Sequence, residues 1–271
     1  MAEFNGVTID GVSFAPQIRG QASNPREWVY VELNGKRYIR DPRWKLTGAG
    51  ELFDMKEAPL KETLAAAVLS LGRVRPDRPF VDPMCGSGTL CIEQALAARR
   101  LAPGLHRAFG FQRWPGYRGA LQSAWDRLKE EARAAALPRA PAPVTGRDRS
   151  ARAIAAARRN AAAAGVGADV AFEEGDARSL IPSGPEGTLC FNPPYGERLA
   201  SRPLQLAGLY RGLAAMLRRH GGWTAVILSG SPLLERAIGL RPEVSHRLWN
   251  GPLEVRLLRY RLPRAGRPRP G

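Results

Sequence analysis

Pro79-Phe80-Val81-Asp82-Pro83-Met84-Cys85-Gly86-Ser87-Gly88-Thr89-Leu90 decides how the rest of this chain is read. Residues 79–82 are a short apolar run ended by an acid, which reads as a buried strand. Two glycines follow, and residues 90–101 read as a helix. Strand, glycine turn and helix together admit a nucleotide-like ligand. The glycines let a ligand approach the backbone, and the first helical turn offers free amides. The pattern is Asp-x-x-x-Gly-x-Gly. It lacks the third glycine of the dinucleotide fingerprint, and no Gly-Lys-Ser/Thr follows it. An acid at the strand end suits a cationic amino-acid group better than a pyrophosphate.

The strand–helix alternation continues downstream. Residues 103–118 form an aromatic and basic loop, and residues 120–136 an Ala/Leu helix closed by Pro138, Pro141 and Pro143. These are an insertion between the first and second strands. His106 has no metal-ligand or base partner in sequence and reads as ordinary loop. Val144-Thr145-Gly146-Arg147-Asp148 is the second strand, with a helix at 151–164 after it. An acid at that strand end can accept both hydroxyls of a ribose, usually about 20 residues after the glycine turn; here the insertion stretches the spacing. Capping of the helix is the other reading of Asp148. Residues 170–174 form a third strand, followed by Gly175-Asp176-Ala177, where Asp176 can take an adenine amine. Residues 205–219 are a helix, 222–229 a fifth strand, and 233–239 a short helix. Residues 245–249 and 254–261 are a closing pair around Asn250-Gly251-Pro252.

The fourth strand, residues 187–192, runs into Phe191-Asn192-Pro193-Pro194-Tyr195-Gly196-Glu197-Arg198-Leu199. Two prolines fix two φ angles and remove two backbone donors, so the strand ends in a stiff turn where open α/β sheets bind ligands. Asn192 offers an acceptor oxygen, Pro193 a carbonyl, and Tyr195 a flat face. Together they suit a planar ring bearing an exocyclic amine. The two oxygens accept the amine hydrogens and orient the nitrogen lone pair, while Tyr195 stacks on the ring. Capping of the strand is the bland reading.

The 271 residues allow one large domain with a small appendage. The net charge is +16, and of 41 basic residues only Lys36, Lys45, Lys56, Lys61 and Lys129 are lysines. Arginine forks to phosphate and stacks on bases, which favours a nucleic-acid partner. Base composition of the coding sequence accounts for Arg over Lys, but less well for the excess over 25 acids. Cys85, Cys91 and Cys190 form no Cys-x-x-Cys pair. That argues against a disulfide framework and a zinc site, and a reducing cytoplasm fits. There is neither a signal-peptide pattern at the start nor an apolar run of membrane-spanning length.

Residues 1–57 read as a small basic β-rich appendage, with strands at 7–12 and 28–33 and a hairpin turn at Asn34-Gly35 into 36–39. Arg37, Arg40, Arg43, Trp44 and Lys45 interleave basic and aromatic side chains, which suits RNA; a solvated hairpin is the alternative. Ala58-Pro59-Leu60 opens a helix running to about Leu71. Residues 263–271 read as a disordered basic tail.

This element order resembles a class I S-adenosylmethionine-dependent methyltransferase: a Rossmann-like α/β fold, its seven-stranded, mostly parallel sheet closed by an antiparallel strand. The wording is closer still. Residues 58–66, Asp82-Pro83-Met84-Cys85-Gly86-Ser87-Gly88-Thr89-Leu90, Ala102-Pro103-Gly104-Leu105 with Phe109, Phe111 and Trp114, residues 192–199, and Asn250-Gly251-Pro252-Leu253 look like the THUMP-associated RNA guanine-N2 methyltransferases. The nearest branch resembles the N-terminal methyltransferase half of the bacterial 23S rRNA guanine-N2 enzyme; a tRNA enzyme shares the core. The resemblance covers residues 58–262. The first 57 residues are too short for the THUMP domain of that family, and no second methyltransferase domain is read. The appendage, or a separate helper protein, would then grip the RNA.

The resemblance implies S-adenosylmethionine as cofactor. The segment 82–89 would hold its methionine part, Asp148 its ribose, and Asp176 with Ala177 its adenine, with Arg149 also on the cofactor, while Pro59 and Leu60 close the site. Asn192, Pro193, Pro194 and Tyr195 would bind the guanine amine and base. Glu197 and Arg198 lie just beyond, toward RNA or paired with one another. No metal is implied. The same Asn-Pro-Pro-Tyr chemistry serves adenine N6 in DNA and glutamine amides in proteins. An idle RNA-binding assembly factor on the same fold is a further alternative, against which the intact motifs argue.

Overall fold

A computed structural model describes residues 60–105, 107–181, 183–195, 203–250 and 253–264, together with the backbone of six short strands within the first 54 residues. The chain divides into two compact units, Met1–Ala58 and Pro59–Gly271. In the first, β1 (Ala2–Phe4) and β2 (Val7–Ile9) form an antiparallel pair. A four-stranded antiparallel sheet follows: β3 (Val29–Leu33), β4 (Lys36–Arg40), β5 (Trp44–Thr47) and β6 (Leu52–Asp54), in that order. Sequence reading finds β2, β3 and β4 but not β1, β5 and β6, which are too short and too polar for alternation to stand out. The Asn34-Gly35 turn and Arg43 lie outside the described residues, as do Ala58, Pro59, His106, residues 196–202, Gly251-Pro252 and the tail from 265.

The second unit opens with α1 (Glu62–Leu71), which starts later than the sequence suggests. Lys61 is extended, with φ −69° and ψ 144°, and supplies no side-chain cap. Then come β7 (Phe80–Asp82) and α2 (Thr89–Ala98). Helix α2 stops short of 101 because Arg100 turns left-handed at φ 57°. The Leu101 amide then donates to the Leu96 carbonyl at 2.9 Å, a Schellman closure. After the insertion helix α3 (Ala120–Ala135), the alternation runs through β8 (Val144–Asp148), α4 (Ala151–Ala163), β9 (Val170–Glu174), β10 (Thr188–Phe191), α5 (Pro203–Arg219), β11 (Thr224–Ser229) and α6 (Pro232–Ile238). It ends in the hairpin β12 (Val244–Asn250) and β13 (Leu253–Arg261).

The seven strands lie in the order β12-β13-β11-β10-β7-β8-β9. Strands β7 to β11 are mutually parallel, and β13 joins β11 antiparallel. This is the Rossmann-like class I methyltransferase arrangement. The central strands are buried on both faces and so read as continuous apolar runs. Cys190, Val226, Leu228 and Leu257 point to α1, α2 and α4; Leu189, Phe191, Ile227 and Leu258 point to α5 and α6. Helix α3 has no buried residue and instead shelters an aromatic group: the Trp125 ring meets Phe109 and Phe111 edge-on at 5.5 and 5.2 Å.

Because β7 to β11 run the same way, their carboxyl ends share one edge of the sheet. There Phe172 of β9 fills the gap left by two glycines. A Cβ on Gly146 would stand 2.6 Å from the Phe172 ring, and one on Gly88 2.9 Å from it. Gly146→Ala is therefore expected to destabilise the protein by about 1–3 kcal/mol through overpacking. Chemical unfolding checks it: the Phe172→Leu, Gly146→Ala double variant should recover part of the loss, whereas additive losses would mean the two positions do not share that space.

Candidate active site

The first strand end sets one wall of the site. Asp82 is buried at 2% exposure, and its Oδ1 accepts the Met84 amide at 3.0 Å. The turn after Pro83 reaches over to β8: the Cys85 amide donates to the Arg147 carbonyl at 2.8 Å. Gly86 and Gly88 have φ of 53° and 87°, the left-handed region that glycine enters without strain. The Gly86 amide donates to Asp148 Oδ2 at 3.0 Å. The other oxygen of Asp148 accepts the Ser150 amide at 2.9 Å. Ser150, not Asp148, is the cap of α4, its hydroxyl accepting the Ala153 amide. Ser87 and Thr89 bring their hydroxyls within 3.4 Å of each other. The Asn160 amide nitrogen reaches the Ser87 carbonyl at 3.0 Å.

Burial above all, opposed by the Met84 amide and helped by nearby Asp148, brings the Asp82 carboxyl up to about 8. Two acids thus converge beneath a glycine turn with open space above Gly86. That combination fits a ligand that presents positive charge and close-packed polar atoms. The three thiols are free and buried; burial pushes all three up, so they stay protonated.

The second wall is the turn after β9. The Gly175 amide donates to the Asp148 carbonyl at 2.9 Å. Asp176 caps the short 3-10 turn Ala177–Ser179 and pairs with the Arg178 side chain at 2.6 Å, which holds its carboxyl down at about 2. Ala177 is buried, and the exposed Arg149 also lowers the Asp176 carboxyl. Sequence reading missed Arg147. Its guanidinium lies against Gly175, where a Cβ would stand 2.5 Å from Nε, and Nη1 reaches the Asp176 carbonyl at 3.5 Å. No pattern marks it, because the contact crosses from β8 to the loop after β9.

The third wall follows β10, whose register with β7 pairs Leu189 with Val81. Neighbouring strands lie about 4.8 Å apart, so Asn192-Pro193-Pro194-Tyr195 emerges beside the Asp82 turn. Pro193 is buried, and the Pro194 carbonyl accepts the Tyr210 hydroxyl at 2.7 Å. The Tyr195 hydroxyl donates to Asn192 Oδ1 in a short hydrogen bond. Burial pushes Tyr195 up to about 12; the nearby Asn250 side chain and the Asn192 hydrogen bond oppose that. One side of the Tyr195 ring lies on Gly230, where a Cβ would come within 2.4 Å of it. Asn250 and Gly230 were missed as site residues. Sequence reading has Asn250 only as the centre of the closing pair and as part of the Asn250-Gly251-Pro252-Leu253 resemblance, with no role in the site. Leu60 is half-buried and packs against the core formed with α1; Pro59, Glu197 and Arg198 lie outside the described residues. An apolar cavity of about 730 Å³ lies between α1, α2 and residues 101–105 and contains none of these residues. Among the described residues there is no cluster of acids, cysteines and histidines able to hold a metal, and no helix long and apolar enough to cross a membrane.

Residues 53–259 match the model of the RMKL-like methyltransferase domain family. Among solved structures, the chain is similar to the SMU.472 protein crystallised with S-adenosylhomocysteine: 34% identity over 77% of this chain and 54% of that one, TM-score 0.71. It is also similar to a predicted N6-adenine-specific DNA methylase from Listeria monocytogenes, at 32% identity over 77% and 54%, TM-score 0.65. TrmN from Thermus thermophilus matches at 25% identity over 75% and 49%, TM-score 0.50. The chain thus spans about half the length of each.

Asp82 carries a pH signature. Its folded pKa, about 8, lies above the ordinary carboxylate value of 3.8. A raised folded pKa contributes stability at low pH that is lost as pH rises from about 4 through about 8. The ligand-free protein should therefore melt at progressively lower temperature across that window. Asp82→Asn should flatten the trend and melt higher than wild type near pH 8. Parallel melting curves for the two proteins against pH would exclude a buried, neutral Asp82.

Proposed function

The chain belongs to the RMKL-like methyltransferase domain family, and from that premise we propose that it transfers a methyl group from S-adenosylmethionine to the exocyclic N2 amine of a guanosine in RNA, in 23S rRNA. The observation that carries this reading is the meeting at one sheet edge of an acid-lined glycine turn and an Asn-Pro-Pro-Tyr turn on the adjacent strand. S-adenosylmethionine supplies an electrophilic methyl on a sulfonium, beside an ammonium group. Asp82 and the 83–89 turn receive the cationic end. Asp148 with Arg149 faces the ribose, Asp176 with Ala177 the adenine, and Pro59 with Leu60 closes the site.

At the acceptor end, Asn192 Oδ1 has two lone pairs, so it holds the Tyr195 hydroxyl and still accepts one amine hydrogen. The Pro193 carbonyl accepts the other. This fixes the amine lone pair toward the methyl donor. The rigid Pro193-Pro194 pair, anchored by Tyr210, keeps that direction. The free face of Tyr195 supports the guanine ring. The amine sheds its proton after the N–C bond forms, so no strong base is required, and positioning with electrostatics carries the rate. The base leaves its stack to enter. The catalytic domain is residues 58–262, working in the cytoplasm. The basic appendage 1–57, or a helper protein, grips the RNA, and the net charge of +16 supports a polyanionic substrate.

A second reading has one observation behind it. The Listeria relative is described as a predicted N6-adenine-specific DNA methylase, and an adenine amine meets the same two oxygens. Labelled S-adenosylmethionine with unmodified 23S rRNA, 16S rRNA, tRNA and DNA, followed by nucleoside mass spectrometry, separates them. N2-methylguanosine in 23S rRNA is expected. The same nucleoside in tRNA alone moves the substrate, and N6-methyladenine in DNA overturns the guanine assignment. Asn192→Ala should lower turnover about 100-fold or more while S-adenosylmethionine affinity, measured by calorimetry, stays within a few-fold. Near-normal turnover would remove Asn192 from amine binding.

A further inference from the structure

The closing hairpin does more than finish the sheet. Strand β11 ends at Ser229, opposite Arg256 of β13. The hairpin runs three further pairs beyond that level: Leu248–Val255, Trp249–Glu254 and Asn250–Leu253. At about 3.3 Å per residue it projects roughly 10 Å past β11 on the carboxyl edge, the edge that carries Asn192 and Tyr195. Its two faces behave differently. Leu248 and Leu253 pack against the core on the Tyr195 side, and the polar Asn250 side chain lies near the Tyr195 hydroxyl, whose ionisation it favours. Trp249, one residue before, points to the other face and is 59% exposed. Its cross-strand neighbour Glu254 is occupied by Arg247, at 3.2 Å.

An exposed indole at the tip of an edge strand contributes little to the core. Pair alternation dictates that when Asn250 turns in toward Tyr195, Trp249 turns out. The base of the hairpin is tied down: Arg256 pairs with Glu235 of α6 at 2.8 Å and donates to the Ser245 hydroxyl at 2.8 Å. A flat, exposed aromatic face beside an arginine, next to a site that takes an unstacked base, is the combination that binds single-stranded nucleic acid by stacking.

We propose that the outward face of β12 is the substrate-reading arm of this enzyme, with Trp249 stacking on a base of single-stranded RNA adjacent to the target nucleotide and the terminal guanidinium nitrogens of Arg247, whose Nε is held by Glu254, meeting the neighbouring phosphate. The inference rests on the RNA reading given above. It assigns Trp249 to substrate binding, outside the cofactor and amine contacts. Stacking is indifferent to base identity, so Trp249 supplies affinity and register, while the Asn192 turn selects the amine.

The test separates the two ideas. Wild type, Trp249→Ala and Trp249→Phe are compared in equilibrium binding to a fluorescently labelled, mixed-sequence single-stranded RNA with S-adenosylhomocysteine present. Cofactor affinity and melting temperature are measured alongside, and nucleoside mass spectrometry follows turnover on unmodified 23S rRNA. Trp249→Ala should weaken RNA binding about 5- to 150-fold. Trp249→Phe should recover most of it, with cofactor affinity and melting temperature unchanged in both. Equal RNA affinity for wild type and Trp249→Ala overturns the proposal. So does a loss that Trp249→Phe fails to rescue and that comes with weaker cofactor binding or a lower melting temperature, since the residue is then structural. Wild-type protein that binds RNA through Trp249 but makes no N2-methylguanosine sinks the guanine reading and leaves the stacking role standing. Wild-type protein that does not bind RNA sinks both.

Discussion

The hydrogen bond from the Gly86 amide to the Asp148 carboxylate joins the ends of two neighbouring strands. Beside it, the Cys85 amide is bonded to the Arg147 carbonyl. Together they pull the glycine turn sideways over β8 before any ligand arrives. The turn can comply because Gly86 and Gly88 adopt left-handed angles, and Phe172 fits where a side chain on Gly88 would stand. Arg147 extends the tie to a third loop by lying beneath Gly175 and reaching the Asp176 carbonyl. A carboxylate engaged by backbone amides on both oxygens is fixed in direction, so its charge is aimed without a reorganisation cost at binding.

The opposite side of the site is held by different means. Two prolines remove backbone freedom after β10, and the Tyr210 hydroxyl locks the second of them. Tyr195 is seated on Gly230 just after β11, bonded to Asn192, and neighboured by Asn250 of the last hairpin. The acceptor end therefore depends on the antiparallel closing pair, the one part of the sheet that departs from the parallel pattern. A break in that pair would disturb Tyr195 while leaving the glycine turn intact.

Charge is distributed with the same logic. The chain as a whole carries +16, yet the deepest part of the site holds two carboxyl groups, Asp82 and Asp148. Burial makes isolated negative charge costly, which is why Asp82 favours its proton until a positive partner is present. The two acids thus sit against the sign of the chain as a whole, where a small cationic ligand would meet them.

The order of strands and helices in the second unit could be read from the chain, most boundaries to within two or three residues, because runs such as Thr188-Leu189-Cys190-Phe191 and Thr224-Ala225-Val226-Ile227-Leu228-Ser229 follow from burial on both faces. The motifs were legible too, since a glycine turn and a double proline act on the backbone next to them. Helix α2 ended early because Arg100 takes a left-handed angle that no local rule assigns to arginine. What only the tertiary structure decided was partnership: that Arg147 braces Gly175, that Gly230 is the seat of Tyr195, and that Asn250 reaches the same tyrosine. Local periodicity records which side of an element faces the core. Contacts between loops at the ends of different strands depend on strand order and register, and the sheet acquires these only when its strands assemble.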